Sequence, residues 1–186
     1  LSIGLSNDAI DADRDRINGR TDKPIAQGAV SRRTAWIAAW TCLALALVLS
    51  VPLGMGLLIA NAITIAAAWL YIVGLKQTAF SLVPFLSFGL FPSLATLSAA
   101  DAAPAAPWAS AAAASLGVAV HFVNVLPDLD ADERTAVRGL PHRLGARASA
   151  LLAAIAVLAG AVAVLLGPVD ASVAQITPLA WLFFAL

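Results

Sequence analysis

Two clusters of polar and acidic side chains share one spacing in this 186-residue chain. Both follow the pattern N-x3-D-x3-D, with Asn7, Asp11 and Asp15 in the first cluster and Asn124, Asp128 and Asp132 in the second. A spacing of four residues brings side chains to one face of a helix. The repetition of the pattern indicates an internal pseudo-repeat whose two copies present equivalent groups.

Carboxylates with this arrangement are typical of a site for divalent cations. Two unit charges 4 Å apart repel by about 4 kcal/mol at an effective dielectric constant of 20, and a bound cation removes that cost. Neither cluster contains His or Cys, and oxygen ligands favour Mg²⁺, Mn²⁺ or Ca²⁺ over zinc. Because Mg²⁺ completes its shell with water and substrate phosphates, two facing Asp pairs would suit a bound diphosphate.

Basic side chains near the clusters are candidates for holding phosphate oxygens. Arg20 and Lys23 follow the first cluster, Arg138 follows the second, and Lys76 is the one charged residue between Arg33 and Asp101. An alternative interpretation is that these residues only set membrane topology, since a run of mixed charge is commonly a solvated face. For Lys76, which stands alone in its loop, we favour the phosphate role.

The composition predicts that membrane helices position these groups. Hydrophobic residues make up 61% of the chain and charged residues 12%, whereas soluble domains are about 45–50% apolar and about 25% charged. Of the charged residues, eleven lie in 8–33 and eight in 128–147. This distribution excludes disordered, collagen-like and coiled-coil classes and indicates an integral membrane protein in a lipid bilayer.

The apolar runs predict an all-α, multi-span transmembrane helical bundle, since a spanning helix needs about 20 apolar residues. Pro84 and Pro92 should break the third run locally. A sixth run starts near Ile176, and we expect the chain, as one domain over 1–186, to be truncated at both ends. The five complete runs are Thr34–Val51, Leu53–Val73, Phe80–Leu97, Pro107–Leu126 and Ala148–Leu166.

The basic residues predict the orientation of the bundle. When the spans are threaded alternately, all 11 Lys and Arg residues fall on one side. Cytoplasmic loops carry the excess of Lys and Arg. We therefore expect both acidic clusters on the cytoplasmic side of the membrane. We expect that membrane to be the cell inner membrane.

Together these motifs resemble the UbiA superfamily of intramembrane prenyltransferases. The family's first motif, N-D-x-x-D-x-x-x-D, matches Asn7 through Asp15, and the loop Asp22-Lys23-Pro24 follows it. The second motif matches Asp128-x-x-x-Asp132 and the basic stretch to Gly145. The segment from Tyr71 to Lys76 is similar to the family's Y-x-x-x-K segment, with one residue more.

The resemblance implies a UbiA-like bundle that lacks the first and last of about nine helices. It implies Mg²⁺-dependent transfer of an isoprenoid chain from a polyprenyl diphosphate to a small-molecule acceptor, often aromatic, without any nucleic acid partner. Asp11 and Asp15 would hold one Mg²⁺, and Asp128 and Asp132 the other, as the catalytic residues. The implied diphosphate ligands are Asn7, Arg20, Lys23, Lys76, Asn124 and Arg138.

Two alternatives stay open. A related transferase of the same fold could use a polyprenyl phosphate as acceptor and share the acidic motifs. A divalent-cation carrier would instead place acidic groups at both mouths or in mid-bilayer.

With Mg–O distances of about 2.0–2.1 Å, the carboxyls of opposing Asp pairs should lie roughly 6–12 Å apart in a two-metal site.

Overall fold

The computed structural model describes residues 1–17, 19–99, 103–129, 138–170 and 172–185, and of Asp128 the backbone alone. These ranges contain helices and turns without β-strands, so the all-α prediction is confirmed. The α-helices are α1 Ser2–Ile17, α2 Arg32–Ser50, α3 Met55–Val73, α4 Phe91–Leu97, α5 Pro107–Val125, α6 Leu140–Leu166 and α7 Pro178–Ala185. Short 3-10 helices are Val51–Leu53, Leu75–Gln77, Val83–Leu90, Leu126–Asp128, Gly167–Val169 and Val173–Gln175.

Four helices in the described ranges are long and apolar enough to cross a membrane. They are α3, α5 and, with the 3-10 turns that follow them, α2 and α6. Helix α2 begins where its N-cap, Ser31, accepts a hydrogen bond of 3.0 Å from the Thr34 N–H. Large apolar side chains of these helices are exposed, for example Leu45, Val48 and Leu151. Apolar surface of this extent is what a lipid-facing bundle presents.

The third predicted run is not a single helix. It divides into the 3-10 segment Val83–Leu90 and the short helix α4, and a proline stands in the first turn of each. Proline is tolerated in a first turn, where its missing N–H costs no helical hydrogen bond, but not in a helix interior. The break predicted at Pro84 and Pro92 is therefore confirmed.

The last complete span starts earlier than the hydropathy indicates. Helix α6 begins at Leu140 rather than at Ala148, and a non-helical residue, Gly145 with φ of 79°, interrupts it. The first turns carry His142, Arg143 and Arg147, so they lie outside the apolar run that marked the span.

Contacts between helices join the two halves of the chain into one bundle. Helix α1 packs on α2 and α3, while α5 packs on α6 and on Val83–Leu90. Helix α3 contacts Val83–Leu90 and so joins the two halves. At Gly117 of α5 an added Cβ would clash with the carbonyl oxygen of Phe85, and only glycine permits this close approach.

Candidate active site

Helix α1 presents the first acidic cluster on a buried face. Asp11 and Asp15 are 7% and 6% exposed, whereas the side chain of Asp13 is 67% exposed. Two residues along a helix correspond to a rotation of about 200°, which accounts for the difference. The predicted helix face is thus confirmed, and Asn7 lies half-buried on the same helix.

Small side chains hold α1 against the loop and helix that follow it. Ala9 and Ala12 pack with Ile25 and Ala35 in one buried cluster, and Trp36 covers its edge. Alanine at both α1 positions lets the helix backbone approach its neighbours closely. The acidic face is therefore fixed by apolar packing on the adjoining face.

Asp11 is the best-partnered carboxylate of the cluster. The Lys76 ammonium lies 2.7 Å from both of its oxygens, and Arg14 Nη2 lies 2.9 Å from Oδ2. The side chains of Lys76 and Asp11 are 9% and 8% exposed. Buried charges need such partners because an unpaired one is strongly disfavoured. The 3-10 turn Leu75–Gln77 after α3 thus brings Lys76 to the first acidic cluster.

Asp15 differs, because the described residues supply no ion pair or side-chain hydrogen bond to its carboxylate. A buried carboxylate without a protein cation fits a bound metal ion, and carboxylate oxygens are ligands that Mg²⁺ accepts. No group of three or more His, Cys, Asp or Glu side chains in the described ranges could hold a metal. Asp11 and Asp15 would therefore share Mg²⁺ with water, substrate phosphates or the second cluster, which suits the coordination habit of this ion.

The loop after α1 folds back over the cluster. Lys23 Nζ lies 2.6 Å from Asp8 Oδ1, so this predicted phosphate ligand stands beside the first motif. Arg20 instead binds both carboxylate oxygens of Asp22, at 2.8 and 2.7 Å. The hydrogen bonds from Arg20 lower the pKa of Asp22 to about 2. Lys23 thus pairs with the first motif, and Arg20 pairs with Asp22 within the loop.

The second cluster lies mostly outside the described residues. Asn124 is exposed on the last turn of α5, and the backbone of Asp128 closes the 3-10 turn after that helix. Asp132 is not among the described residues, and the predicted spacing between opposing carboxyl pairs falls outside them too. Arg138 is exposed just before α6.

The chain that follows the second cluster returns to the Lys76 turn. The Leu140 N–H donates to Ser81 Oγ at 2.9 Å. A Cβ added at Gly139 would lie 2.6 Å from the Lys76 carbonyl oxygen. The start of α6 therefore contacts the same turn whose lysine binds Asp11.

Three residues of this region were not assigned to the site from the sequence. Arg14 could have been found, because it stands three positions after Asp11 on the same helix face. Ser81 has no local pattern around it. His121 is recognisable as a histidine within an apolar run; its Nε2 lies 3.1 Å from Ser81 Oγ, and its buried Nδ1 has no hydrogen-bond partner among the described residues.

Comparison with known proteins shows the family of the chain. The profile of the UbiA prenyltransferase family matches residues 1–186. The chain belongs to the UbiA prenyltransferase family. This UbiA chain is 34% identical over 153 residues to a digeranylgeranylglyceryl phosphate synthase from Methanoregula boonei. The alignment covers 79% of the chain and 53% of the relative, so the chain spans about half the length of that protein. No solved structure matches the chain.

Proposed function

We propose that this UbiA-family protein transfers an isoprenoid chain from a polyprenyl diphosphate to an acceptor in the membrane. The observation that carries the proposal is the buried pair Asp11 and Asp15 on one face of α1, with Lys76 against Asp11. A diphosphate leaving group needs cations at a defined place, and the apolar chain needs a bundle with a lipid-facing exterior. The buried acidic pair with Lys76 supports the first requirement, and the long apolar helices support the second.

The chemistry follows from these groups. Ionisation of the C–O bond of an allylic diphosphate leaves a cation on the chain and negative charge on the departing diphosphate. Lys76 and Lys23 would donate hydrogen bonds to its oxygens, because charge-assisted contacts stabilise a developing oxyanion. Mg²⁺, when bound by Asp11 and Asp15, would add Lewis-acid neutralisation of the same charge. The apolar helices would exclude water, the acceptor would attack the cation, and the proton that it loses would pass to the released diphosphate.

The remaining predicted ligands complete this proposal. Asp128 and Asp132 would hold a second Mg²⁺, by the same pattern of spacing as the first pair. Asn7 and Asn124 would donate amide hydrogen bonds to phosphate oxygens, with Arg20 and Arg138 at the rim. The buried position of Asp11 and Asp15 supports the first half of this assignment.

The acceptor has three candidate classes. The resemblance of the motifs favours an aromatic acceptor. The name of the relative from Methanoregula boonei favours a glyceryl phosphate that carries one prenyl chain. A third, the polyprenyl phosphate acceptor, shares the acidic motifs. A substrate panel separates these possibilities.

The test is prenyl transfer by membranes that contain the full-length protein. Labelled prenyl diphosphates and Mg²⁺ are combined with an aromatic acceptor, a monoprenyl glyceryl phosphate or a polyprenyl phosphate. Asp15→Asn is the decisive variant because it removes a carboxylate without leaving a protein cation unpaired. We expect it to lower the rate by at least about 10²–10³, the usual cost of losing one oxyanion-stabilising contact.

Asp13→Asn is the matched control. Asp13 lies on the exposed side of the same helix, where Arg32 Nη2 is 2.8 Å from its Oδ2. We expect its activity to stay within about tenfold of the parent, because surface ion pairs contribute little. Equal inactivity of the two variants, or Mg²⁺-independent transfer, would contradict the proposal. Facilitated flux of Mn²⁺ into vesicles without prenyl transfer would favour the cation carrier.

A further inference from the structure

Ser81 joins three parts of the bundle that are distant in sequence. Its Oγ accepts the Leu140 N–H at 2.9 Å and lies 3.1 Å from His121 Nε2. Its own N–H donates to the Thr78 carbonyl at 3.2 Å, within the loop after α3. Ser81 and His121 are each 1% exposed, so water does not compete for these contacts. We call the Leu140 N–H, Ser81 Oγ and His121 Nε2 contacts the Ser81 bridge.

The direction of the hydrogen bonds in the Ser81 bridge follows from its donors. The Leu140 N–H can only donate, so Ser81 Oγ is the acceptor of that bond. The hydroxyl proton is then free to reach His121 Nε2, which accepts it when the ring proton is on Nδ1. This arrangement satisfies all three bridge atoms and leaves the Nδ1–H alone without a partner among the described residues. The reverse tautomer would leave two groups unsatisfied, the hydroxyl proton and the unprotonated Nδ1.

The His121 ring is held in place by aromatic neighbours. The Phe85 ring centroid lies 4.7 Å away, and Tyr71 stands edge-on at 6.2 Å. These rings come from α3 and from the 3-10 segment that packs on α5. His121 is therefore a fixed acceptor on α5, and a fixed acceptor determines where Ser81 lies.

The Ser81 bridge is adjacent to the proposed diphosphate site. The Gly139 backbone rests on the Lys76 turn, since an added Cβ would lie 2.6 Å from the Lys76 carbonyl oxygen and 3.1 Å from Ser81 Oγ. Lys76 Nζ in turn contacts Asp11 of α1. A chain of direct contacts thus runs from α5 through Ser81 to the start of α6 and to the lysine at the first acidic cluster.

We propose that Ser81 and His121 are positioning residues, which fix the Lys76 turn and the start of α6 relative to Asp11. The proposal rests on the proposed function, because the turn matters for catalysis only if Lys76 holds the diphosphate. Its physical basis is that a group displaced by about 1 Å from its productive position can cost about 10²-fold in rate. Neither side chain is required to touch the substrate.

The first measurement is amide hydrogen exchange by mass spectrometry on the full-length protein in nanodiscs. Ser81→Ala removes the acceptor of the Leu140 N–H, and we expect that amide to exchange about five- to tenfold faster, as for the loss of one hydrogen bond. The control is Ser50→Ala. Ser50 is 5% exposed and its hydroxyl donates to the Ala46 carbonyl at 2.8 Å, at the far end of α2. This variant should leave the exchange at Leu140 unchanged.

The second measurement is steady-state prenyl transfer. Ser81→Ala and His121→Leu should lower kcat/KM for the prenyl diphosphate about 10- to 100-fold. KM for the acceptor should change less than about twofold, because Lys76 serves the diphosphate. His121→Gln places an amide oxygen near the position of Nε2 and should recover most of the activity. In a Lys76→Met background, Ser81→Ala should have little further effect, since the two changes act through one group.

The outcomes separate the two proposals. Faster exchange at Leu140 with unchanged kcat/KM, or full additivity with Lys76→Met, would overturn the positioning role while transfer activity stands. A parent protein that transfers no prenyl chain would overturn the proposed function and with it the catalytic meaning of the Ser81 bridge. Unchanged exchange in Ser81→Ala would overturn the bridge itself.

Discussion

The Lys76 ammonium contacts both carboxylate oxygens of Asp11 at 2.7 Å, across 65 positions of sequence. Both side chains are almost fully buried. The contact joins the turn after α3 to α1 and neutralises one carboxylate of the first acidic cluster within the protein. Asp15, one helical turn further on, has no comparable partner among the described residues. The two carboxylates of one motif therefore differ in their electrostatic surroundings.

This difference predicts unequal stability of the two Asn variants. The acidic spacing alone indicates that removing any carboxylate relieves repulsion and leaves folding intact. The structure changes this expectation for Asp11, because Asp11→Asn leaves Lys76 buried against a neutral amide. We expect a loss of about 1–3 kcal/mol in the free energy of unfolding, as for a buried polar group deprived of its partner. Asp15→Asn should lose no stability relative to the parent, since it removes a buried carboxylate that has no protein cation and leaves no cation unpaired. Thermal unfolding in detergent measures both, and equal melting temperatures would count against the Lys76 contact.

If Asp11 binds Mg²⁺ as proposed, the metal ion must compete with Lys76 for the same carboxylate oxygens. Removal of the ammonium in Lys76→Met frees Asp11 Oδ1 and leaves Oδ2 with Arg14 alone. In the absence of prenyl diphosphate we therefore expect tighter binding of Mn²⁺, used as a spectroscopic probe for Mg²⁺. Prenyl transfer should nevertheless fall by about 10²-fold or more, because a cation at the leaving group is lost. Electron paramagnetic resonance titration gives the affinity, and Lys23→Met is the comparison variant because Lys23 pairs with Asp8 instead. Weaker Mn²⁺ binding in Lys76→Met would contradict the assignment of Asp11 as a metal ligand.

Removal of divalent cations should stop transfer reversibly. We expect EDTA to abolish activity and Mg²⁺ or Mn²⁺ to restore it, with Zn²⁺ much less effective, because the proposed ligands are all oxygens. The melting temperature should change little, since apolar packing rather than metal holds α1 in place. Undiminished transfer in EDTA would contradict the metal assignment.

Gly139 should tolerate no side chain. In Gly139→Ala the new Cβ meets the Lys76 carbonyl oxygen at 2.6 Å and cannot be accommodated without a shift of the backbone. We expect kcat/KM for the prenyl diphosphate to fall about 10-fold or more through displacement of the Lys76 turn. Gly4→Ala is a suitable control, because an added Cβ there meets no atom within 4 Å. Parent-like kinetics for Gly139→Ala would show that the turn can move without consequence.

The distribution of basic residues predicts the side on which the site lies. In a Cys42→Ser background, which removes the one native cysteine, single cysteines are placed at exposed Gln27 and Ala103. A membrane-impermeant thiol reagent added to intact cells should label position 103 and not position 27, because Lys and Arg mark the cytoplasmic side. Labelling of position 103 from the cytoplasmic side would reverse the proposed topology.

The sequence by itself determined the class of the protein and the common helix face of Asp11 and Asp15. Long apolar runs dictate membrane helices, since backbone groups in lipid must be satisfied within the segment. Pro84 and Pro92 dictated a break because a missing N–H is a local property of the chain. The spacing of four likewise placed Asp11 and Asp15 on one face, since helical periodicity is local. In each case the physics involves residues within a few positions of one another.

The tertiary structure alone decided which groups meet. The deciding contacts join residues that are far apart in the sequence. Lys76 and Asp11 are 65 positions apart, Leu140 and Ser81 are 59 apart, and Ser81 and His121 are 40 apart. These contacts depend on how α3 and Val83–Leu90 pack between α1 and α5, and no local pattern records that packing. The start of α6 at Leu140 was hidden for a related reason, because its first turns are basic and the Leu140 N–H is bound by Ser81, 59 positions earlier in the chain. A charged side chain can be buried only where the fold supplies a partner for it. The spacing of residues in the sequence does not show which partner that will be.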